Sequence, residues 1–318
     1  MAALFLLPQV ASASPLLGID VSTFSILAGG YATYGASATV SGNVGALSYI
    51  TAGADAKSAG NFVNSARVTD ALNQVAQAQS ALSAMQTNVT LGATMSGNVT
   101  LAPGVYGASA LTTAAGTILT LDGGGADNPY WVFNIPTYLV TGASTLIQVS
   151  NAGKGASVFW NTGGYATLGA STTFVGTILS SEYISQGAGV NFACGNAYAA
   201  SYVTVAAGSG MTSSNCASSD TWAGSLTGTG SGFDVVNGVA SPAAMNPASS
   251  QAAYASTNEP TYQAASEAPA TGADAVAVPE PGSGALWLAG LGAFGLLAHR
   301  RVRRRPALAP ALTAIAPI

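Results

Sequence analysis

One ten-residue segment recurs along this chain, and its recurrence limits the possible folds more than any other feature. Gly29-Gly30-Tyr31-Ala32-Thr33-Tyr34-Gly35-Ala36-Ser37 nearly matches Gly163-Gly164-Tyr165-Ala166-Thr167-Leu168-Gly169-Ala170-Ser171. Further copies start at Tyr138, Tyr183 and Tyr202. Tyr165, Tyr183 and Tyr202 are separated by 18 and 19 residues, while Tyr138 and Tyr165 are separated by 27, which implies an insertion in one copy. A period of about 20 with glycine turns and β-branched residues predicts a β-solenoid, in which each repeat is one coil stacked on the next.

Aligning the copies orients the side chains. The second column holds Ala32, Leu139, Ala166, Ile184 and Val203, and the tenth holds Val40, Ile147, Phe174, Phe192 and Met211. Both are apolar and are expected to face the core. Side chains alternate along a strand, so the first and third columns face outward. The first is tyrosine in all five copies (Tyr31, Tyr138, Tyr165, Tyr183, Tyr202), and the third is Thr33, Val140, Thr167, Ser185 and Thr204. Gly35, Gly142, Gly169 and Gly187 share one column, where the chain turns with positive φ or passes close to itself.

One segment departs from the pattern. From Asp55 to Met85 the chain is rich in Ala and Gln, with Phe62, Val68, Leu72, Val75, Leu82 and Met85 at three- and four-residue steps. That periodicity predicts an amphipathic helix over about 55–86 lying along the solenoid wall. Short strands are expected at Thr117–Leu121, Tyr130–Ile135, Leu146–Ser150 and Ser157–Asn161, with a loop over Asp122–Pro129.

Both ends read as processing signals. Residues 1–13 combine a short apolar run with an A-x-A-like site at Ala11 and Ala13, as in a secretory signal peptide, but lack its basic start; they read as a truncated signal with cleavage after Ala13. Near the other end, Val278-Pro279-Glu280-Pro281 precedes an uncharged stretch over 282–298 and then His299-Arg300-Arg301-Val302-Arg303-Arg304-Arg305. The stretch is at the short limit for a membrane span, and the arginines would stay cytoplasmic. Residues 306–318 form a tail. Over 213–277 the composition shifts to Ser, Ala, Gly, Thr and Pro, which reads as a linker and leaves 14–212 as the solenoid domain.

Charge then excludes several functions. Residues 14–298 hold all twelve acidic residues but only three bases, Lys57, Arg67 and Lys154, a net charge of −9. So few cations argue against nucleic acid as a partner. The only histidine is His299, so the body lacks the commonest general base and metal ligand. Some β-helices are polysaccharide lyases, which need a proton-abstracting base and often clustered carboxylates for calcium. Asp122, Asp127, Glu182 and Asp220 are scattered. No catalytic residue, metal site or cofactor is expected, and the protein is read as a non-enzyme. Cys194 and Cys216 lie 22 residues apart, and in an exported protein their pairing is expected to staple the last coil.

The order of motifs carries a family likeness. Phe24-Ser25-Ile26-Leu27-Ala28-Gly29, the helix, Leu101-Ala102-Pro103-Gly104-Val105-Tyr106, Leu119-Thr120-Leu121-Asp122, Trp131-Val132-Phe133-Asn134-Ile135, Val158-Phe159-Trp160 and Thr173-Phe174-Val175-Gly176-Thr177-Ile178-Leu179 follow one another. In this order, over roughly residues 20–212, they resemble the microbial ice-binding (antifreeze) proteins. The resemblance implies a mainly β fold, a discontinuous right-handed parallel β-helix flanked by one long α-helix. It also implies adsorption of a monomer to the ice/water surface by one flat face, as in antifreeze action or inhibition of ice recrystallisation. The ladder Thr33, Thr167, Ser185 and Thr204 is the leading ice-face candidate, with Thr39, Thr145, Thr172 and Ser144 secondary. Where the family carries small residues this chain has the five tyrosines, which offer aromatic platforms with a polar tip; the alternative is a cell-surface or matrix adhesin binding exopolysaccharide. The segment 278–305 resembles the PEP-CTERM sorting signal, which implies a transient membrane anchor, removal by a membrane sorting protease, and release to the cell surface or extracellular matrix.

Overall fold

A computed structural model describes residues 14–211, apart from residue 154, and 233–242. Successive short strands wind into a three-faced solenoid whose strands all run parallel to their neighbours in the coils above and below. The predicted β-solenoid is the architecture found. One face contains, in spatial order, Gly60–Val63, Asn43–Ala46, Phe24–Ala28, Ala197–Ala199, Thr177–Ser180, Ser157–Thr162, Tyr130–Ile135, Gly104–Gly107 and Val89–Thr90. A second contains Tyr49–Ala52, Tyr31–Tyr34, Val203–Val205, Ile184–Gln186, Ala166–Leu168, Leu139–Thr141, Leu111–Thr113 and Thr94–Met95. The third contains Asn98–Leu101, Ile118–Asp122, Leu146–Ser150, Thr173–Val175, Asn191–Cys194, Gly210–Met211 and Thr39–Val40.

Spatial order departs from chain order at one place. The coil of Tyr31 stacks on the last coil, that of Tyr202, and the coil of Tyr49 lies beyond it at one end of the stack. The chain then leaves Val63 at that end and re-enters at Val89, the outermost strand at the opposite end. A helix over Ala66–Ser83 makes the crossing. Its 18 residues span about 27 Å at 1.5 Å per residue, and the short connectors at either end supply the remaining length.

The helix is shorter than the pattern over 55–86 predicts. Residues 49–63 are another coil: Tyr49-Ile50-Thr51-Ala52-Gly53 repeats the opening of the Tyr31 copy, and Gly60–Val63 forms the outermost strand of the helix-side face. The helix begins only after Ser65, whose hydroxyl accepts the Val68 amide at 3.3 Å as its N-cap. Val68, Ala71, Val75, Ala78, Ala81 and Leu82 form its buried stripe, packed on Phe24, Leu27, Val105, Val132, Phe159, Leu179 and Tyr198 of the solenoid. Its C-terminal carbonyls find partners in a pair of asparagines from adjacent coils. Asn134 Nδ2 donates to the Leu82 carbonyl at 2.9 Å, and Asn161 Nδ2 lies 3.2 Å from the Gln79 carbonyl and 2.9 Å from Asn134 Oδ1. These bonds satisfy acceptors that a helix end leaves open.

The core inside the coils is an aromatic spine that tapers. Tyr106, Phe133 and Trp160 occupy one column in adjacent coils, with centroids 5.3 Å and then 3.9 Å apart. Ile178, Ala197, Ile26 and Val44 continue it toward the other end. The second and tenth columns face inward as expected, and every member is buried. Trp131 and Trp160 direct their indole N–H groups to the Leu101 and Val175 carbonyls, so neither large side chain leaves a buried donor open.

Part of the stretch expected to be a linker is structured. Phe233–Val236 and Val239–Pro242 form a hairpin, and Ser14–Pro15 pairs antiparallel with its first strand. Phe233 is buried edge-on against Tyr130 and Phe159, with centroids 5.5 and 5.2 Å away. The linker reading missed it because Phe233-Asp234-Val235-Val236 is a single short apolar run in a Ser/Gly-rich region. Residues 1–13, 278–281, 282–298 and 306–318 lie outside the described residues, as does Cys216; its expected partner Cys194 is buried at the end of a strand on the third face.

The corner between the second and third faces shows why glycine recurs there. A Cβ on Gly53, Gly35, Gly187, Gly169 or Gly142 would lie 2.4–2.7 Å from a backbone nitrogen of the adjacent coil. Close approach between coils, rather than positive φ, therefore excludes a side chain. Two residues later the chain does adopt the left-handed conformation, at Asp55, Ser37, Gly208, Gly189, Ser171, Ser144, Gly116 and Gly97, with φ from 56° to 72°. The two positions should respond oppositely to substitution. Ser171→Gly relieves a left-handed side chain and should stabilise the domain by roughly 0.5–1 kcal/mol. Gly169→Ala should destabilise it by about 1–3 kcal/mol, because the contact is with backbone. Urea denaturation followed by circular dichroism measures both.

Candidate functional site

The three faces differ in what they offer to solvent. The first is covered by the helix. The third carries a mixed outward column of Asn98, Ile118, Leu146, Thr173, Asn191, Gly210 and Thr39. Only the second combines exposure with a uniform repeat, and the sequence-derived ladder lies on it.

Its central outward column runs Thr51, Thr33, Thr204, Ser185, Thr167, Val140, Thr112 and Thr94 in unbroken register. From Thr33 to Thr112 each residue lies between two buried ones, as the alternating pattern of Val203–Val205 and its neighbours shows. Adjacent hydroxyls are partly fixed by one another: Thr204 donates to Ser185 at 3.1 Å, and Thr94 and Thr112 share a bond of 2.9 Å. Eight rungs at about 4.8 Å give a straight row roughly 34 Å long. On its corner side the row meets Gly35, Gly53, Gly142, Gly169 and Gly187, then exposed Ala36, Ala54, Ala143, Ala170 and Ala188. Nothing there rises above a methyl group.

On the other side stands a wall. Tyr138, Tyr165, Tyr183, Tyr202, Tyr31 and Tyr49 stack in one line, with centroids 4.9–5.3 Å apart and ring planes within 14° of parallel. The end rung Tyr49 is 51% exposed and the inner rungs are half-buried by each other. No hydrogen bond among the described residues engages the six hydroxyls. Partial desolvation, then the neighbouring Tyr183, Tyr31 and Glu182, hold the Tyr202 phenol above its ordinary range.

The eight expected ice-face residues divide. Thr33, Thr167, Ser185 and Thr204 come together in the central row. Thr39 is exposed on the third face, paired with Gly210. Ser144 sits at the left-handed corner position, φ 56°. Thr145 and Thr172 turn inward and are buried, bonded to Thr113 at 2.8 Å and Thr141 at 3.2 Å, so they hold the corner together beneath the surface. Four members of the site escaped the sequence reading. Tyr49 and Thr51 lie just before the predicted helix and were not aligned with the repeat, although Tyr31 and Tyr49 stand 18 residues apart as other copies do. Thr94 and Thr112 were missed because their coils lack the tyrosine that marks the others. Among the described residues no group of His, Cys, Asp and Glu converges as a metal site would require.

Removing one ring tests the wall's contribution to stability. Tyr183→Ser interrupts two stacked pairs and should cost roughly 1–2 kcal/mol in urea denaturation, with the far-ultraviolet spectrum unchanged.

Comparison with known proteins agrees with this architecture. Residues 61–211 match the family described as Ice-binding-like, and residues 277–304 match the PEP-CTERM protein-sorting motif. An ice-binding protein of Nostoc sp. (strain HG1) is 43% identical over 103 residues, which is 32% of this chain and 38% of that protein. Ice-binding protein 1 of Shewanella frigidimarina is 32% identical over 96 residues, 30% of this chain and 11% of it. The match thus spans less than half of either curated relative. Among solved structures, an ice-binding protein from the Antarctic ascomycete Antarctomyces psychrotrophicus superposes with a TM-score of 0.55 at 28% identity, covering 61% of this chain and 95% of that one. A domain of the Shewanella frigidimarina protein superposes at 0.53 and 24% identity, covering 63% and 98%, and shows the fold. With its helix, its order of coils and its matched residues 61–211, the solenoid is similar to the ice-binding-like family, on a chain whose residues 277–304 match a PEP-CTERM sorting motif.

Proposed function

We propose that the protein is exported and adsorbs to ice through the row Thr51, Thr33, Thr204, Ser185, Thr167, Val140, Thr112 and Thr94, together with the low alanine and glycine corner beside it. The observation that carries this reading is the unbroken register of that row. Each rung presents a small hydroxyl or methyl at a spacing fixed by backbone hydrogen bonds. A row of this kind orders water in a repeating layer without rearranging, and weak contacts add because the solenoid holds them all at once. No covalent step is involved. The sorting motif supports a route in which a membrane-anchored tail is removed by a sorting protease and the acidic body is released at the cell surface or into the matrix.

A second reading is favoured by the tyrosine wall, whose hydroxyls engage no hydrogen bond among the described residues. On that reading the same face also holds exopolysaccharide, and the protein serves as a surface or matrix adhesin.

Single ice crystals grown in the presence of the full chain should become faceted and show a gap between melting and growth. Ser185→Tyr combined with Thr204→Tyr should raise the protein concentration needed for that effect at least about tenfold, or ~1.4 kcal/mol of adsorption. Thr39→Tyr, on the third face, should leave it unchanged. Round, freely growing crystals with the unaltered protein would refute adsorption, and equal loss from Thr39→Tyr would place it on the third face.

A further inference from the structure

The tyrosine wall and the threonine row together form a ledge along the solenoid axis, with phenols standing beside a hydroxyl floor. We propose that this ledge binds one extended strand of a neutral β-1,4-linked polysaccharide, cellulose-like or chitin-like, aligned with the axis. The inference rests on the second reading above and gives it a ligand class and a direction.

Periodicity is the first argument. The wall repeats every 4.9–5.3 Å over six tyrosines. A fully extended β-1,4-linked chain is straight and advances by nearly that distance per sugar. At five of the six rungs a sugar therefore meets the same pair of groups, a phenol hydroxyl at its side and a Thr or Ser hydroxyl beneath it; beside Tyr138 the floor is Val140. A β-1,3-linked chain coils and loses this register after a few sugars.

The stacking geometry fixes the mode of contact. Sugar-binding aromatic side chains commonly present a ring face, but here each inner ring has both faces covered by its neighbours. What remains is the ring edge and the unengaged hydroxyl. Only the ends differ: Tyr49 is the terminal rung, and Tyr138 has Ala110 in the next coil, as the pairing of Leu111 with Leu139 shows. The strand must lie along the hydroxyls and cannot be threaded between the rings.

Charge limits the polymer. The body between residues 14 and 298 carries nine more acids than bases, and Glu182 adjoins Tyr183 in the wall. A uronate or sulfated chain would be repelled along its length, whereas neutral glucose or N-acetylglucosamine units are not.

The test is retention of the full chain on microcrystalline cellulose and on chitin, the two polymers distinguishing the two sources. Retention on either is expected, with soluble oligosaccharides of the same linkage competing more strongly up to about six sugars, one per tyrosine. Alginate and β-1,3-glucan should not compete. Tyr165→Ser, Tyr183→Ser and Tyr202→Ser together should lower retention at least about tenfold. Should that triple variant unfold, Tyr183→Phe with Tyr202→Phe keeps the stack, removes two hydroxyls, and should still weaken retention several-fold. No retention on either polymer, or retention unchanged by the phenylalanine pair, overturns the proposal. Ice growth measured on the same preparations separates the readings: faceted ice without polymer binding refutes the ledge alone, and polymer binding with unaffected ice refutes adsorption to ice alone.

Discussion

Everything in this molecule depends on parallel stacking in register. A coil has no interior of its own; it acquires one only when the next coil lies about 4.8 Å away with every side chain above its counterpart. A slip of one residue would exchange Thr204 with Val203 and turn the apolar columns outward. The register is held at both levels. Inside, the spine from Tyr106 through Trp160 to Val44 fills a taper that fits only one alignment. At the corner, the glycines allow backbone to approach backbone so closely that any displaced side chain would collide.

A stack of this kind has two open ends and one exposed apolar wall, and the crossing helix deals with the wall. Because the chain starts near one end and must restart at the other, a segment of fixed length has to run the whole axis. A helix is the economical choice, since it satisfies its own backbone and presents a stripe of Val, Ala and Leu to the strands beneath. Asn134 and Asn161 then fix it lengthwise, because their side chains reach its final carbonyls from two successive coils. The hairpin at 233–242 adds to the same cover. It joins Ser14–Pro15, at the start of the domain, to chain well beyond the last coil, through Phe233 buried on Tyr130 and Phe159.

How much of this could be read from residues alone follows from where the repeat is strong. The columns of Ala32 to Val203 and Val40 to Met211 gave the inside and outside of each coil, because burial on one face demands strict alternation. The strands Tyr130–Ile135 and Leu146–Ser150 were legible to the residue, being β-branched and aromatic runs bounded by turn residues. The helix boundary was not, because Phe62, an apolar residue six positions before Val68, was joined to the helical pattern while belonging to a strand. Spatial order was also hidden. Nothing local to Tyr31 shows that its neighbour is Tyr202, 171 residues later. The inward turn of Thr145 and Thr172 was equally illegible, since a buried threonine is satisfied by partners such as Thr113 and Thr141 that only the stacked coils bring near.

The face that results carries two kinds of column, and their heights differ. A tyrosine ring extends well beyond a threonine methyl, so a large flat crystal cannot touch both columns over their whole width. The Thr row is reached from the corner side, where Gly and Ala keep the surface low, while the wall bounds it on the other. A crystal lattice and a polymer strand therefore make different demands on one scaffold. A lattice needs breadth, which the row and the corner would offer; a strand needs only a straight edge, which the line where the row meets the wall would offer. The two proposed contacts share the Thr hydroxyls and would compete. On both proposals together, whichever ligand is held more tightly decides whether this face would meet ice bare or already occupied.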